Sequence, residues 1–221
     1  MKRILLSSVF IIGASLGALS VAQAGVISLG LQESGVNGGA ITTEATGSGG
    51  AIFSGSYGSF SLNELTASGA PGAATNFSST ALNTSTSTGG TLFVYATETG
   101  LTGPLGQYNM LSGLTENFYS GAINAVTETT YANTSDATYG LSTELASATF
   151  TSTGTNDTVA MTPDFTGPYS ITAVYKVVST GTGEASSTVS MTDVPEPGSL
   201  VLLGTGLLAL GFVIRKRQKR A

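Results

Sequence analysis

The chain has 221 residues without a cysteine or a histidine, and its formal net charge is −5. These absences exclude disulfides, thiolate or imidazole metal sites, and Ser-His-Asp or Cys-His nucleophile systems. Between residues 25 and 194 the charge is −11, because Lys176 is the only base there against twelve acids. A body of this sign repels nucleic acid, so we expect no nucleic-acid partner.

The first 24 residues predict a secretory signal peptide. Lys2 and Arg3 form a basic start, and residues 4–19 form an apolar core. Ala22 and Ala24 supply the small residues that signal peptidase requires, with cleavage before Gly25. We therefore expect a signal helix that is removed, and an exported body.

Two segments of the body, residues 25–193, strongly predict strands. Residues 91–97 are rich in aromatic and branched side chains. Residues 169–178 alternate with period two, which is typical of a half-buried strand. The predicted inner face of this second segment consists of Tyr169, Ile171, Ala173, Tyr175 and Val177. Weaker strand candidates are 26–31, 51–53, 59–65, 122–130, 141–151 and 184–191.

Turn-forming residues separate these candidates. Breaks are predicted at 70–72, 103–104, 154–157 and 180–183, and the last of them indicates a hairpin connection between two strands. The Ser/Thr string at 83–88 favours local disorder. No part of the body shows a sustained helical stripe. The pattern predicts an all-β fold, an antiparallel β-sandwich of jelly-roll or immunoglobulin-like layout, flanked by the signal helix and a C-terminal transmembrane helix.

The C-terminal segment, residues 194–221, has three parts in a fixed order. Two prolines exclude helix at its start, residues 199–214 form an uncharged apolar run of about 16 residues, and a basic cluster follows. Under the positive-inside rule this cluster stays in the cytoplasm. The first part is Val194, Pro195, Glu196 and Pro197, and the basic part is Arg215, Lys216, Arg217, Lys219 and Arg220.

This order of Val-Pro-Glu-Pro, apolar run and basic end resembles the PEP-CTERM sorting domain. The resemblance implies recognition by an exosortase in the inner membrane and removal of the tail near the Pro-Glu-Pro motif. It also implies a bacterium that makes exopolysaccharide, and a final location at the cell surface or in the extracellular matrix. A plain C-terminal anchor is the alternative interpretation of the same residues.

Nothing in the body predicts an enzyme. Lys176 lies on the polar side of its predicted strand, as a solvated lysine would. The acids are scattered singly, without a joining motif, and we expect most of them to face solvent. They are Glu98, Glu116, Glu128, Asp136, Glu144, Asp157 and Asp164.

Two kinds of ligand remain open for the body. Asn156, Asp157 and Asp164 lie in a turn-rich region and could supply oxygen ligands to calcium, although no calcium-binding motif is present, so no cofactor is predicted. The tyrosines could stack on sugars, although core or strand-surface packing is their more common use. They are Tyr57, Tyr95, Tyr108, Tyr119, Tyr131, Tyr139, Tyr169 and Tyr175.

Three functions are therefore compatible with the sequence. The first is a non-catalytic structural or adhesive protein of the cell surface or exopolysaccharide matrix. The second is a carbohydrate-binding module that recognises a self-made polysaccharide. The third, and least favoured, is a glycoside hydrolase that works with two carboxylates.

Overall fold

The computed structural model describes residues 25–69, 76–194 and 204–207. These residues form ten strands, one 3₁₀ turn at Asn37–Gly39 and a single helical turn at 204–207. The strands are β1 Val26–Glu33, β2 Thr42–Ser48, β3 Gly50–Tyr57, β4 Phe60–Gly69, β5 Asn76–Thr86, β6 Gly90–Leu101, β7 Asn109–Asn133, β8 Thr143–Phe150, β9 Gly154–Met161 and β10 Tyr169–Val194.

The strands form one antiparallel sheet in the order β2-β1-β6-β10-β5-β4-β3, and β7 pairs with β10 and carries β8 and β9 on its other edge. The two ends of this order meet at the turn between β2 and β3. There the Gly49 N–H donates to the Gly25 carbonyl at 3.0 Å, and the Gly49 carbonyl accepts from the Gly69 N–H at 3.2 Å. The sheet is therefore nearly closed, and the prediction of an antiparallel all-β fold is confirmed.

Alternation of apolar and polar residues places the core inside this sheet. On β10 the predicted inner face is completely buried and Lys176 is exposed. The prediction of a half-buried strand is wrong for the start of β10, because Ser170, Thr172 and Val174 on its other face are buried too. The same alternation buries Leu29 and Leu31 on β1, and Val94 and Ala96 on β6. Burial of such apolar side chains is the main force that favours the folded state.

The two longest strands bend back on themselves. The first part of β10 pairs with β6 and the last part pairs with β5, while β7 follows β10 through both parts. Because of the bend, the Val189 N–H donates to the Tyr175 hydroxyl of the same strand at 3.0 Å. On β7 the hydroxyls of Ser112 and Thr130 lie 2.8 Å apart in the same way. The two halves of the sheet thus face each other across the core.

This bend brings both ends of the described body to one end of the molecule. Gly69, which bonds to the turn beside Gly25, pairs with Phe77 of β5, and Phe77 pairs with Met191. Neighbouring strands lie about 4.8 Å apart, so these steps cover a short path across the sheet edge. We call the end that contains Gly25 and Val194 the terminal pole.

The opposite end, the distal pole, contains the bends of β7 and β10. Gly121 pairs with Gly183 there, and Ser179 pairs with Ile123. The carboxylate of Glu33, at the end of β1, also lies at this pole. The two poles therefore differ in kind, since one carries chain ends and the other carries only turns and bends.

Three local predictions are wrong. Residues 180–183 lie within β10 and not in a hairpin connection, because irregular pairing with β7 lets the strand bend without breaking. The string 83–88 forms strand as far as Thr86, because β4 and β10 pair with it on both sides. Residues 154–157 begin β9, which pairs with β7. In each case long-range pairing overrides the local turn preference.

The predicted flanking helices fall largely outside the described residues, as do residues 1–24 and 208–221. Within the ranges that the structure describes, no helix has the length and apolar character needed to cross a membrane. The transmembrane helix stays a prediction.

Gly121 provides a test of the bend. Its φ is +68°, and a Cβ added there would collide with the Thr182 carbonyl oxygen. We expect Gly121→Ala to lower the free energy of unfolding by about 1–3 kcal/mol, because strain and a clash add. Urea unfolding of the full chain in detergent, followed by circular dichroism, measures this. Gly154→Ala is the control, since its Cβ meets only the Phe150 ring at 3.5 Å. Equal stability of the two variants would contradict the close approach of Gly121 to Thr182 at the bend.

Candidate functional site

A cleft of about 280 Å³ opens at the distal pole between β4, β5 and β10. Its lining consists almost entirely of hydroxyl-bearing residues and one acid. The lining residues are Ser59, Ser61, Ser85, Thr86, Ser87, Thr182, Gly183 and Glu184. We call it the hydroxyl cleft.

A hydrogen-bond network fixes the wall of the hydroxyl cleft. The Ser59 hydroxyl donates to Glu33 Oε1 at 2.5 Å, and the Ser59 N–H donates to Glu33 Oε2 at 2.9 Å. The Thr86 hydroxyl donates to the Ser59 carbonyl at 2.9 Å and accepts from the Gly89 N–H at 3.1 Å. Glu33 is therefore a positioning carboxylate whose oxygens are already satisfied, and not an open ligand.

Other groups of the hydroxyl cleft are open to a ligand. The hydroxyls of Ser85 and Ser87 form no hydrogen bond within the described part of the chain, and Glu184 is exposed. Hydroxyls both donate and accept, and a carboxylate accepts. This set can bind neutral hydroxylated molecules, but it contains neither a base beside a nucleophile nor a second carboxylate.

A second cleft of about 240 Å³ is lined by Gln32, Ser34, Gly39 and Phe93. We call it the Phe93 cleft. The Gln32 side chain is held on both sides, because its Nε2 donates to the Gly39 carbonyl at 2.7 Å and its Oε1 accepts from a tyrosine hydroxyl at 2.6 Å. The half-buried Phe93 ring has the Lys176 ammonium 5.7 Å from its centroid. A fixed polar group beside an aromatic face suits a sugar ring.

Most of the tyrosines pack in the interior, which is the use that the sequence favoured over stacking on sugars. Tyr57, Tyr95, Tyr108, Tyr169 and Tyr175 are buried. Tyr139 covers the ring of Tyr95 at 5.7 Å between centroids and donates a hydrogen bond from its hydroxyl. Sequence reasoning missed Phe93, whose period-two position on the outer face of β6 was the available signal.

The expectation that the acids face solvent is wrong for three of them. Glu98, Glu116 and Glu128 are buried, with at most 1% of each residue exposed. Glu116 accepts from the Ser187 hydroxyl at 2.5 Å and from the Ser186 N–H at 3.2 Å. The carboxyl oxygens of Glu98 have no hydrogen-bond partner among the described residues. Those of Glu128 have none of ordinary geometry, although the Thr115 backbone and the Ser187 hydroxyl lie near enough to favour its ionised form. These acids lie in the interior because the pairing of neighbouring strands positions them there. Period-two alternation in the sequence did not predict their burial.

Burial changes the protonation of these three acids. Loss of hydration raises the pKa of Glu98 to about 7. Burial also raises the pKa of Glu116 to about 7, although hydrogen bonds from Ser187 and the backbone oppose the rise. Burial and the nearby charge of Glu116 raise the pKa of Glu128 to about 8. At neutral pH much of this interior charge is therefore neutralised by protons.

The buried acids cannot act on a polymer, because solvent does not reach them. Asp157 lies on β9 and Asp164 in the segment after it. Within the residues that the structure describes, no three acidic side chains gather around a point where a metal ion could bind. The two clefts are therefore the candidate binding sites among the described residues.

The structure places two of the predicted processing residues. Gly25 directly precedes β1, and Val194 is the last residue of β10, so both lie at the terminal pole. The other sorting and cleavage residues lie outside the described ranges: Ala22, Ala24, Pro195, Glu196, Pro197, Arg215, Lys216, Arg217, Lys219 and Arg220.

Comparison with protein families decides the nature of the tail. The model of the PEP-CTERM protein-sorting motif matches residues 193–218. The chain carries a PEP-CTERM sorting motif at its C-terminal end. The resemblance predicted from the sequence is confirmed, and the motif is the sorting signal of exported proteins that an exosortase recognises. No curated protein has a similar sequence.

The buried acids predict a pH-dependent stability. Their folded-state pKa values exceed the ordinary 4.5, so between pH 4.5 and about 7–8 the folded PEP-CTERM protein binds more protons than the unfolded chain. Stability therefore falls as pH rises through this window, by up to about 1.4 kcal/mol per pH unit for each group. We expect the melting temperature of the full chain in detergent to drop between pH 5 and pH 8.

Glu128→Gln should make this drop smaller, because it removes one titrating group. Glu64→Gln is the matched control, since Glu64 is exposed. A wild-type melting temperature that is constant between pH 5 and pH 8 would contradict the burial of the three acids.

Proposed function

We propose that this PEP-CTERM protein is a non-catalytic structural or adhesive component of the cell surface or exopolysaccharide matrix. The observation that carries the proposal is the direct continuation of β10 into the sorting motif at residue 193. The terminal pole then faces the membrane during sorting, and the distal pole with its hydroxyl cleft points away from it.

The chemistry of the body supports this role. Its charge of −11 keeps it soluble and apart from anionic lipid, and its hydroxyl-rich surface can exchange hydrogen bonds with hydrated polymers. The clefts offer binding groups without a nucleophile or base. No cofactor forms part of the proposal. During sorting the partners are the exosortase and the inner membrane, and afterwards the exopolysaccharide.

We further propose that the bent sheet is a two-layered sandwich. One layer contains β1, β2, β6, β8 and the first part of β10. The other layer contains β3, β4, β5, β9 and the last part of β10. The hydrogen bond from Val189 to Tyr175 supports this arrangement, because it joins residues from the two parts of β10.

The matrix role is tested by deletion of the gene in the native host. We expect the mass of cell-bound matrix to fall, because a polymer-binding component is lost. Wild-type complementation should restore it, whereas a chain with Pro195→Ala and Pro197→Ala should not, because sorting fails. Glu64→Gln is the control that should complement fully. A deletion strain with a normal matrix would count against the role.

A carbohydrate-binding module is the second candidate, and the Phe93 cleft favours it. An aromatic face beside the fixed Gln32 amide is the arrangement that a sugar ring requires. A hydrolase is the least supported candidate, because Glu184 is the only acid that lines either of the two clefts and catalysis by this route needs two carboxylates.

Phe93→Ala tests the second candidate. We expect the dissociation constant of the full chain for the host's purified polysaccharide to rise about tenfold, which corresponds to the loss of one stacking contact of roughly 1.4 kcal/mol. Phe118→Ala is the control, since Phe118 is an exposed phenylalanine outside both clefts. Unchanged binding of the polysaccharide by Phe93→Ala would exclude the Phe93 cleft as the sugar site.

A further inference from the structure

The large exposed apolar side chains of the described body concentrate toward the terminal pole. Met161 ends β9 and is 63% exposed, and Leu105 lies in the connection between β6 and β7 and is 55% exposed. Phe118 is the exception at the distal pole. The members on the terminal side are Val26, Ile52, Leu105, Leu141, Val159 and Met161.

A buried aromatic stack supports the surface around Leu105. The rings of Phe165 and Tyr169 stack with centroids 3.8 Å apart, and the ring of Tyr108 lies 5.9 Å from Phe165. Gly106 exchanges backbone hydrogen bonds with Phe165 at 2.8 and 3.2 Å. Leu105 therefore projects from a firmly packed support.

The sorting tail begins at this pole without a spacer. Thr192 still pairs with strands on both sides, and Val194 still pairs with Asn109 of β7. Only residues 195–198 separate this strand end from the apolar run. Four residues span at most about 14 Å when fully extended. The headgroup layer on one side of a bilayer occupies about 5–8 Å, so the pole must lie close to the lipid.

We propose that the terminal pole is a lipid-contacting surface, which rests on the outer leaflet of the inner membrane while the sorting tail spans the bilayer. This inference rests on the proposed function, because it assumes that the tail enters the membrane. The pole carries acids such as Asp193 and no base, since Lys176 is the only base between residues 25 and 194. The contact is therefore apolar and suits zwitterionic lipid, not anionic lipid.

The absence of cysteine allows a direct test with the full chain. Single-cysteine variants Leu105→Cys and Met161→Cys carry an environment-sensitive fluorophore at the terminal pole, and Phe118→Cys carries it at the distal pole. Each variant is reconstituted in phosphatidylcholine nanodiscs with brominated acyl chains, which quench a fluorophore that reaches the acyl boundary. We expect the two pole probes to lose roughly half of their fluorescence and the Phe118→Cys probe to keep nearly all of it.

A second variant separates contact from mere proximity. Val26→Ser, Leu105→Ser and Met161→Ser together should reduce the quenching of a Leu141→Cys probe, because they remove the apolar side chains that insert. Quenching of the terminal-pole probes no stronger than that of the Phe118→Cys probe would overturn the proposal. Disulfide formation between two copies of the unlabelled Leu105→Cys variant in the same nanodiscs would also overturn it. The measurement does not involve the host's matrix, so the matrix role can fail while lipid contact stands.

Discussion

The ladder between β7 and β10 is the interaction on which the rest of the structure depends. These are the two longest strands, and they remain paired from Ser170 opposite Asn133 to Val194 opposite Asn109. The strands β5, β6, β8 and β9 pair directly with one of them, and β1, β2, β3 and β4 join the sheet through β6 and β5. Because both strands bend at the same level, their pairing survives the bend and carries the sheet around the core. A separate hairpin at 180–183 would instead leave the two halves joined only by a loop.

The same bend explains why charged residues are found in the interior. Glu116 and Glu128 belong to the two parts of β7 that the bend brings face to face, and the charge of Glu116 helps to raise the pKa of Glu128. At neutral pH, burial of an ionised carboxylate costs more free energy than binding a proton to it, so the pair is held largely neutral. Glu116 keeps hydrogen bonds to the adjacent part of β10, within its own half of the sheet. The contacts of Ser112 with Thr130 and of Val189 with Tyr175 join the two halves. Polar contacts of this kind specify one arrangement of a core otherwise made of interchangeable apolar groups.

Local sequence patterns correctly predicted features that depend on neighbouring residues. They failed where pairing with distant strands determines the secondary structure. Period-two alternation placed the inner face of β10 and the exposure of Lys176 correctly. The Ser/Thr string at 83–88 is strand as far as Thr86, because β4 and β10 pair with it on both sides. The Gly-rich segment at 180–183 stays within β10 across an irregularity in its pairing with β7. The hydroxyl cleft was equally hidden, because Ser59, Ser85 and Thr182 come from three distant parts of the chain.

The sorting motif was predictable for the opposite reason, since an enzyme reads it as a linear segment. What the sequence could not show is that the motif joins a paired strand directly. Because Val194 is still paired with β7, an exosortase that cuts near the motif would find almost no unpaired residues on the amino-terminal side of Pro195. Strand residues bonded to β7 cannot enter a protease cleft at the same time, because their backbone groups are already occupied. If the tail is cut near the Pro-Glu-Pro motif, as the resemblance implies, either the last residues of β10 separate from β7 first, or the cut falls after Val194.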